Sequence, residues 1–169
     1  MTQAKKVAGG LQISEDRSWQ EKFWTAQRVA WAVMALFILA AIAGLTGKGG
    51  PLASATARMG DAVVDYPAIT RWQSDEQVQF HLADSDPDRV DILLSPHFVH
   101  LFAINSIEPE PSEVKATGAG HRFTFETEAG ARGRTITFDV RAQKPAIAQR
   151  IQAAVGNRPA AELKITVLP

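Results

Sequence analysis

The chain has no cysteine, and that one absence removes disulfides, thiolate zinc sites, iron–sulfur ligation and covalent c-type haem attachment. Excess charge is missing as well, because 18 basic side chains balance 18 acidic ones. Residues 1–28 carry five Lys or Arg against three acids, and residues 62–169 carry eleven against fourteen. Neither stretch concentrates Lys and Arg as a nucleic-acid footprint would. No serine stands in a G-x-S-x-G elbow, so the usual strand–turn–helix nucleophile has no candidate.

What the sequence does have is one long uncharged run, Val29 to Gly47 (VAWAVMALFILAAIAGLTG). As a helix it would extend about 28 Å, close to the hydrocarbon thickness of a bilayer. It contains no histidine, which argues against b-type haem held within the membrane. Ser18 and Glu21 have capping-box spacing, and Trp19, Phe23, Ala26 and Ala30 recur at helical intervals, which predicts a helix from Ser18 into the run. Trp19, Trp24 and Trp31 then fall near one interface, where an indole keeps its ring among acyl chains and its N–H among headgroups. Ala40-x-x-x-Gly44 and Gly44-x-x-Gly47 would put small residues on one side of the far half, permitting close approach of another helix.

Lys5, Lys6, Arg17, Lys22 and Arg28 precede the run, against Lys48 and Arg58 after it, which orients the N-terminus to the cytoplasm and the rest outward. A cleaved signal peptide is the rival reading, since Ala53-Ser54-Ala55 is an A-x-A-like site. The long n-region and an apolar stretch beyond the usual length of a signal core oppose it. The expected organisation is a cytoplasmic tail over 1–17, an interfacial and transmembrane helix over 18–47, a Gly/Pro-bearing linker over 48–61 and one domain over 62–169.

In that domain the hydrophobic period changes from helical to two. Val78-Phe80-Leu82, Phe123-Phe125, Ile136-Phe138-Val140 and Leu163-Ile165-Val167 each alternate with polar residues, predicting four half-buried strands. Weaker strands are expected at Ala62–Tyr66, Val90–Leu94 and around Phe102–Ile107. Pro145–Val155 fits a strand or a short helix; the strand is preferred because Gly156-Asn157 is a hairpin dipeptide with a partner strand beyond it. Ser95-Pro96 can open one helical turn. Turn chemistry at 74–76, 84–88, 118–120 and 130–133 separates the runs. Together these predict an all-β domain, an antiparallel immunoglobulin-like sandwich, behind a single transmembrane helix.

The ending GLTGKGGPL at 44–52, Tyr66-Pro67, IEPEP at 107–111, HRFTFE at 121–126 and the closing Leu168-Pro169 resemble uncharacterised single-pass inner-membrane proteins of proteobacteria. The resemblance implies an exported β-sandwich in the periplasm and supplies no activity.

Candidate sites are few. Asp84, Asp86 and Asp88 form D-x-D-x-D with Asp91 nearby, the oxygen spacing calcium uses, but Arg89 and Ser95 break the EF-hand pattern. An acidic, solvated turn is the preferred reading of the run. His97 and His100 share a face only if the residues after Pro96 are helical, and His81 or His121 would have to complete a metal shell. Glu108 and Glu110 flank prolines in an extended crossover and lack an aromatic sugar platform. Phe98, Leu101 and Phe102 are either core or an exposed patch for a partner or a leaflet. No catalytic residue, metal ligand or cofactor is assigned on this basis. The expected role is a membrane-anchored interaction module, an accessory subunit that meets other membrane proteins through its helix and β domain; an exported ligand or calcium binder is the alternative, and a hydrolase comes third.

Overall fold

A computed structural model describes residues 17–45, 49–83, 88–126 and 134–169. Residues 1–16 of the expected N-terminal tail, Gly47, Asp84, Asp86 and the turn at 130–133 fall outside them. Two units divide between Ile38 and Leu39: the first is most of an apolar helix, and the second begins with that helix's last turn and holds every strand.

Helix α1 spans Arg17–Ile42, entered one residue before the Ser18 expected from the capping pattern. From Trp19 to Ile42 it is long and apolar enough to cross a membrane, with mean hydropathy 1.7 in its most apolar window. Its end differs from expectation. Gly44 takes φ +90, its N–H donates to the Ala41 carbonyl, and the Leu45 N–H donates to the Ala40 carbonyl. This is a Schellman closure, which requires a left-handed residue after the last turn and so selects glycine. Gly44 is therefore a cap, and the helix stops short of Gly47. The uncharged helical part, Val29–Ile42, is only about 21 Å long. Any span of a bilayer by α1 must draw in the turn that precedes it, where the Arg28 guanidinium lies 4.1 Å from the Trp24 ring centre. That stacking suits a cation at an apolar boundary.

The second unit is mostly β, built of two sheets. The first sheet is five-stranded, in the order β1 (Ser54–Met59), β2 (Ala62–Pro67), β4 (Asp75–His81), β9 (Thr135–Ala142), β6 (Phe102–Glu108). The second is six-stranded, in the order β3 (Ile69–Arg71), β11 (Ala161–Leu168), β10 (Ala146–Val155), β5 (Arg89–Leu94), β8 (Gly120–Glu126), β7 (Glu113–Thr117). The hairpins are β1–β2, β7–β8 and β10–β11; elsewhere the chain passes from one sheet to the other. Helix α2 (Pro96–Leu101) makes one of these passages, between β5 and β6.

All seven of the half-buried and weaker strands expected from the sequence are present, the preferred strand at Pro145–Val155 is there as β10, and a helical turn follows Ser95. Three corrections follow. Residues 54–59, expected as linker, form β1, because Ala55, Ala57 and Met59 alternate inward against β2 even though the residues are small. Strands β3 and β7 are additional, short and borne by sheet edges, where no alternation of large apolar residues marks them. The sheets are not wholly antiparallel: β3 runs parallel to β11, since the chain changes sheets at Ala68 without reversing.

Inward positions from both sheets merge into one core. Phe138 on β9 is fully buried and sets its ring edge-on to Phe80, Phe123 and Phe125, at 5.5, 5.3 and 6.1 Å between ring centres. Phe98, Leu101 and Phe102 are buried at the α2–β6 junction, so this cluster is core and not an exposed patch. The architecture is a two-layer, sandwich-like β unit.

Candidate functional site

Strand period places the polar residues of β4 and β9 on the outer face of the five-stranded sheet. Register then sets His81 opposite Thr135, Gln77 opposite Asp139 and Asp75 opposite Arg141. Each opposed pair is bonded. His81 Nδ1 lies 3.0 Å from Thr135 Oγ1, Gln77 Nε2 donates to Asp139 Oδ1 at 2.9 Å, and Arg141 holds Asp75 through both carboxylate oxygens at 2.7 and 2.8 Å.

Flanking strands extend this ladder. From β2, Asp65 Oδ2 meets His81 Nε2 at 3.0 Å, and Thr56 on β1 donates to the other Asp65 oxygen. From β6, a register shift between Ile104 and Ser106 brings consecutive residues to bear on this face. Asn105 donates to Asp75 at 3.3 Å, and Ser106 Oγ donates to Asp139. A cleft of about 290 Å³ opens beside the same face, lined by Gly49, Gly50, Ser54, Asp65, Gln77 and Gln79 among others. The face is thus a sheet of polar side chains already bonded to one another, with little rotamer freedom left to lose on contact with a partner.

The electrostatics follow from these bonds. Donation from Ser106, and then from Gln77, holds the Asp139 carboxyl below the usual carboxylate range, against desolvation and the nearby Asp75 charge. The hydrogen bonds to Asp75 and its charge raise Arg141 above its ordinary value. Asp139 therefore favours the folded state when ionised. A folded pKa below the unfolded one yields stability that is complete above the unfolded value and is lost as pH falls through the folded value. The stability difference between the protein and Asp139→Asn should be constant above about pH 5 and shrink as pH falls through and below the ordinary carboxylate range. Paired thermal melts across that range test this; a difference that grows on acidification would contradict it.

Asp65, His81 and Thr135 put a carboxylate, an imidazole and a hydroxyl in line, the order of an acyl-transfer triad. The imidazole and carboxylate side chains are 41 % and 45 % exposed on an open sheet. Such a site lacks the water-excluding walls that give oxyanion donors their strength.

Among the described residues, the sites read from sequence do not converge. Asp88 is exposed before β5, while Asp91 accepts from Thr124 Oγ1 at 2.7 Å and pairs with Arg122 on β8. His97 and His100 do share a helix, α2, and are exposed there. His81 is committed to the first sheet's polar face, and His121 lies on β8 opposite Leu94. Among the described residues no three or more His, Asp or Glu are grouped to hold a metal ion. Glu108 and Glu110 are exposed at and beyond the end of β6, and Gly118-Ala119 is the turn of the β7–β8 hairpin. Sequence reading missed Asp65, Gln77, Asp139, Ser106 and Arg141. Their alternation was visible, but the pairing that joins them is not a property of any one strand. The chain matches no protein-family model, no curated protein and no solved structure.

Proposed function

We propose that the protein is a membrane-anchored interaction module, held by α1 and serving as an accessory subunit of a larger membrane assembly. The observation that carries this reading is the bonded polar ladder Asp65–His81–Thr135, Gln77–Asp139–Ser106 and Asp75–Arg141 on one sheet face, in a chain with a helix apolar enough to span a bilayer. A sheet face with fixed donors and acceptors suits recognition of another protein, where complementary polar groups set specificity. Lys5, Lys6, Arg17, Lys22 and Arg28 ahead of the uncharged run at 29–47 outnumber Lys48 and Arg58 just after it, and on that count we assign the β unit to the extracytoplasmic side of a bacterial inner membrane. The calcium reading of the Asp84–Asp91 stretch is weaker, because Asp91 is already bound to β8.

Isolation of the full-length protein in mild detergent through a C-terminal tag should recover a stoichiometric membrane companion. Gln79→Arg, a large cation in the middle of the polar face, should cut that recovery about tenfold, equivalent to ~1.4 kcal/mol, without lowering the melting temperature. A protein that runs alone, or a companion indifferent to Gln79→Arg and to reversal of Asp75, would remove this reading.

A further inference from the structure

We propose that the end of the β unit nearest the anchor rests on the surface of the same bilayer, with Trp72 and Ile147 set among the lipid headgroups. The proposal depends on reading α1 as the anchor, and is independent of the polar face.

The chain leaving α1 is tied closely to this end. The Leu52 N–H donates to the Ala43 carbonyl at 3.0 Å, and the Ala53 carbonyl accepts from Ala68 and Ile69 at 2.8 and 3.1 Å. Ser54 then begins β1 opposite Pro67. The turn from β2 into β3 is therefore bonded to the stretch by which the chain leaves the helix, and Trp72 follows directly after β3.

Two large apolar side chains are exposed here without a covering element. Trp72 is anchored by its backbone N–H to Leu168 at 2.7 Å and by its indole Nε1 to the Gln143 carbonyl at 3.0 Å, yet it is 49 % exposed. With its N–H already bonded, the ring can enter a less polar layer without stranding a donor. Ile147, on β10, is 89 % exposed. It is presented by an irregularity between Ala146 and Gln149, in which Ala148 takes φ +49 and bonds Thr166. A left-handed alanine is an unfavourable conformation, and bulges of this kind re-aim a side chain. In water, aiming isoleucine outward brings no gain; at a membrane interface it does. Exposed Arg71 and Lys144 adjoin the two residues and can meet lipid phosphates. Asp61 and Glu126 mark the opposite end of the sheets.

Because the chain has no cysteine, Ile147→Cys and Asn157→Cys can each carry one nitroxide in the full-length protein. Both sites are exposed, and Asn157 lies in the β10–β11 turn at the far end. Each labelled protein is reconstituted in vesicles of phosphatidylethanolamine and phosphatidylglycerol, and vesicle flotation first establishes anchoring. The label at 147 should then collide with a water-soluble nickel complex roughly fivefold less than the label at 157, and more with oxygen dissolved in lipid. Independently, brominated lipid should quench a tryptophan component that Trp72→Phe removes. Equal nickel access at 147 and 157 in floating vesicles overturns the proposal while leaving the anchor intact. A label at 147 shielded from both reagents would mean that protein covers this end, and also overturns it. Failure to float would instead remove the anchor reading itself.

Discussion

Phe138→Ala should destabilise the β unit by about 3–5 kcal/mol, the range for emptying a buried phenylalanine site. The residue sits on β9, inside the five-stranded sheet, and its ring reaches Phe123 and Phe125 on β8 of the other sheet. Removing it leaves a hole between layers that neither sheet can close, since both backbones are held by strand pairs on either side. With total stabilities of about 5–15 kcal/mol for ordinary domains, such a loss approaches unfolding. Val114→Ala, on edge strand β7 and half exposed, should change stability by no more than about 0.5 kcal/mol. Denaturant unfolding of the full chain, followed through near-ultraviolet circular dichroism, compares the two. A Phe138→Ala cost under about 1 kcal/mol would mean that the sheets are not joined through this ring.

Gly120→Ala is expected to be comparably severe, at about 2–5 kcal/mol, from a backbone and a packing penalty together. Gly120 opens β8 with φ +139, and a β-carbon there would run into the Leu94 carbonyl oxygen and the Ser95 Cα. Both obstacles are backbone, held in place by the β5–β8 pairing, so neither can yield as a flexible side chain would. Gly118, two residues earlier in the same hairpin turn, has open space around its would-be β-carbon and no positive φ. Gly118→Ala should therefore be neutral, or stabilising by up to about 1 kcal/mol through the unfolded chain. Thermal melts of the two variants separate close approach from a general need for glycine in turns. Equal effects would sink the distinction.

The contrast between these two glycines shows where sequence reading runs out. Gly118-Ala119-Gly120 is legible as a turn from its composition alone. Which glycine is indispensable depends on Leu94, a residue of another strand brought alongside by pairing. The same holds for Gly44. Read in sequence, it belongs to a small-residue pattern continuing to Gly47; in the structure it is the left-handed residue that closes α1. Local spacing cannot tell a packing face from a cap when glycine serves both.

The polar face makes the same point for the candidate site. Asp75, Gln77, Gln79 and His81 alternate with buried residues, so their direction was readable. Their partners, Arg141, Asp139 and Thr135, lie more than fifty residues away. A shift of one residue in the β4–β9 register would dissolve every one of these pairs. Conversely, the D-x-D-x-D run and the two α2 histidines were conspicuous as spacing, but Asp91 is drawn to β8 and the histidines find no third ligand among the described residues.

What the sequence alone determined is the local part: one helix apolar enough to cross a membrane, a following all-β unit, seven strands, the helical turn after Ser95 and the absence of thiol chemistry. These follow from hydrophobic period, turn residues and composition, which act over a few residues. Only the tertiary structure decided that residues 54–59 are a strand, that β3 runs parallel to β11, that Phe138 bridges the layers and that the polar ladder exists. Each of these depends on pairing and packing between segments distant in the chain, and that free energy is gained only when the sheets come together.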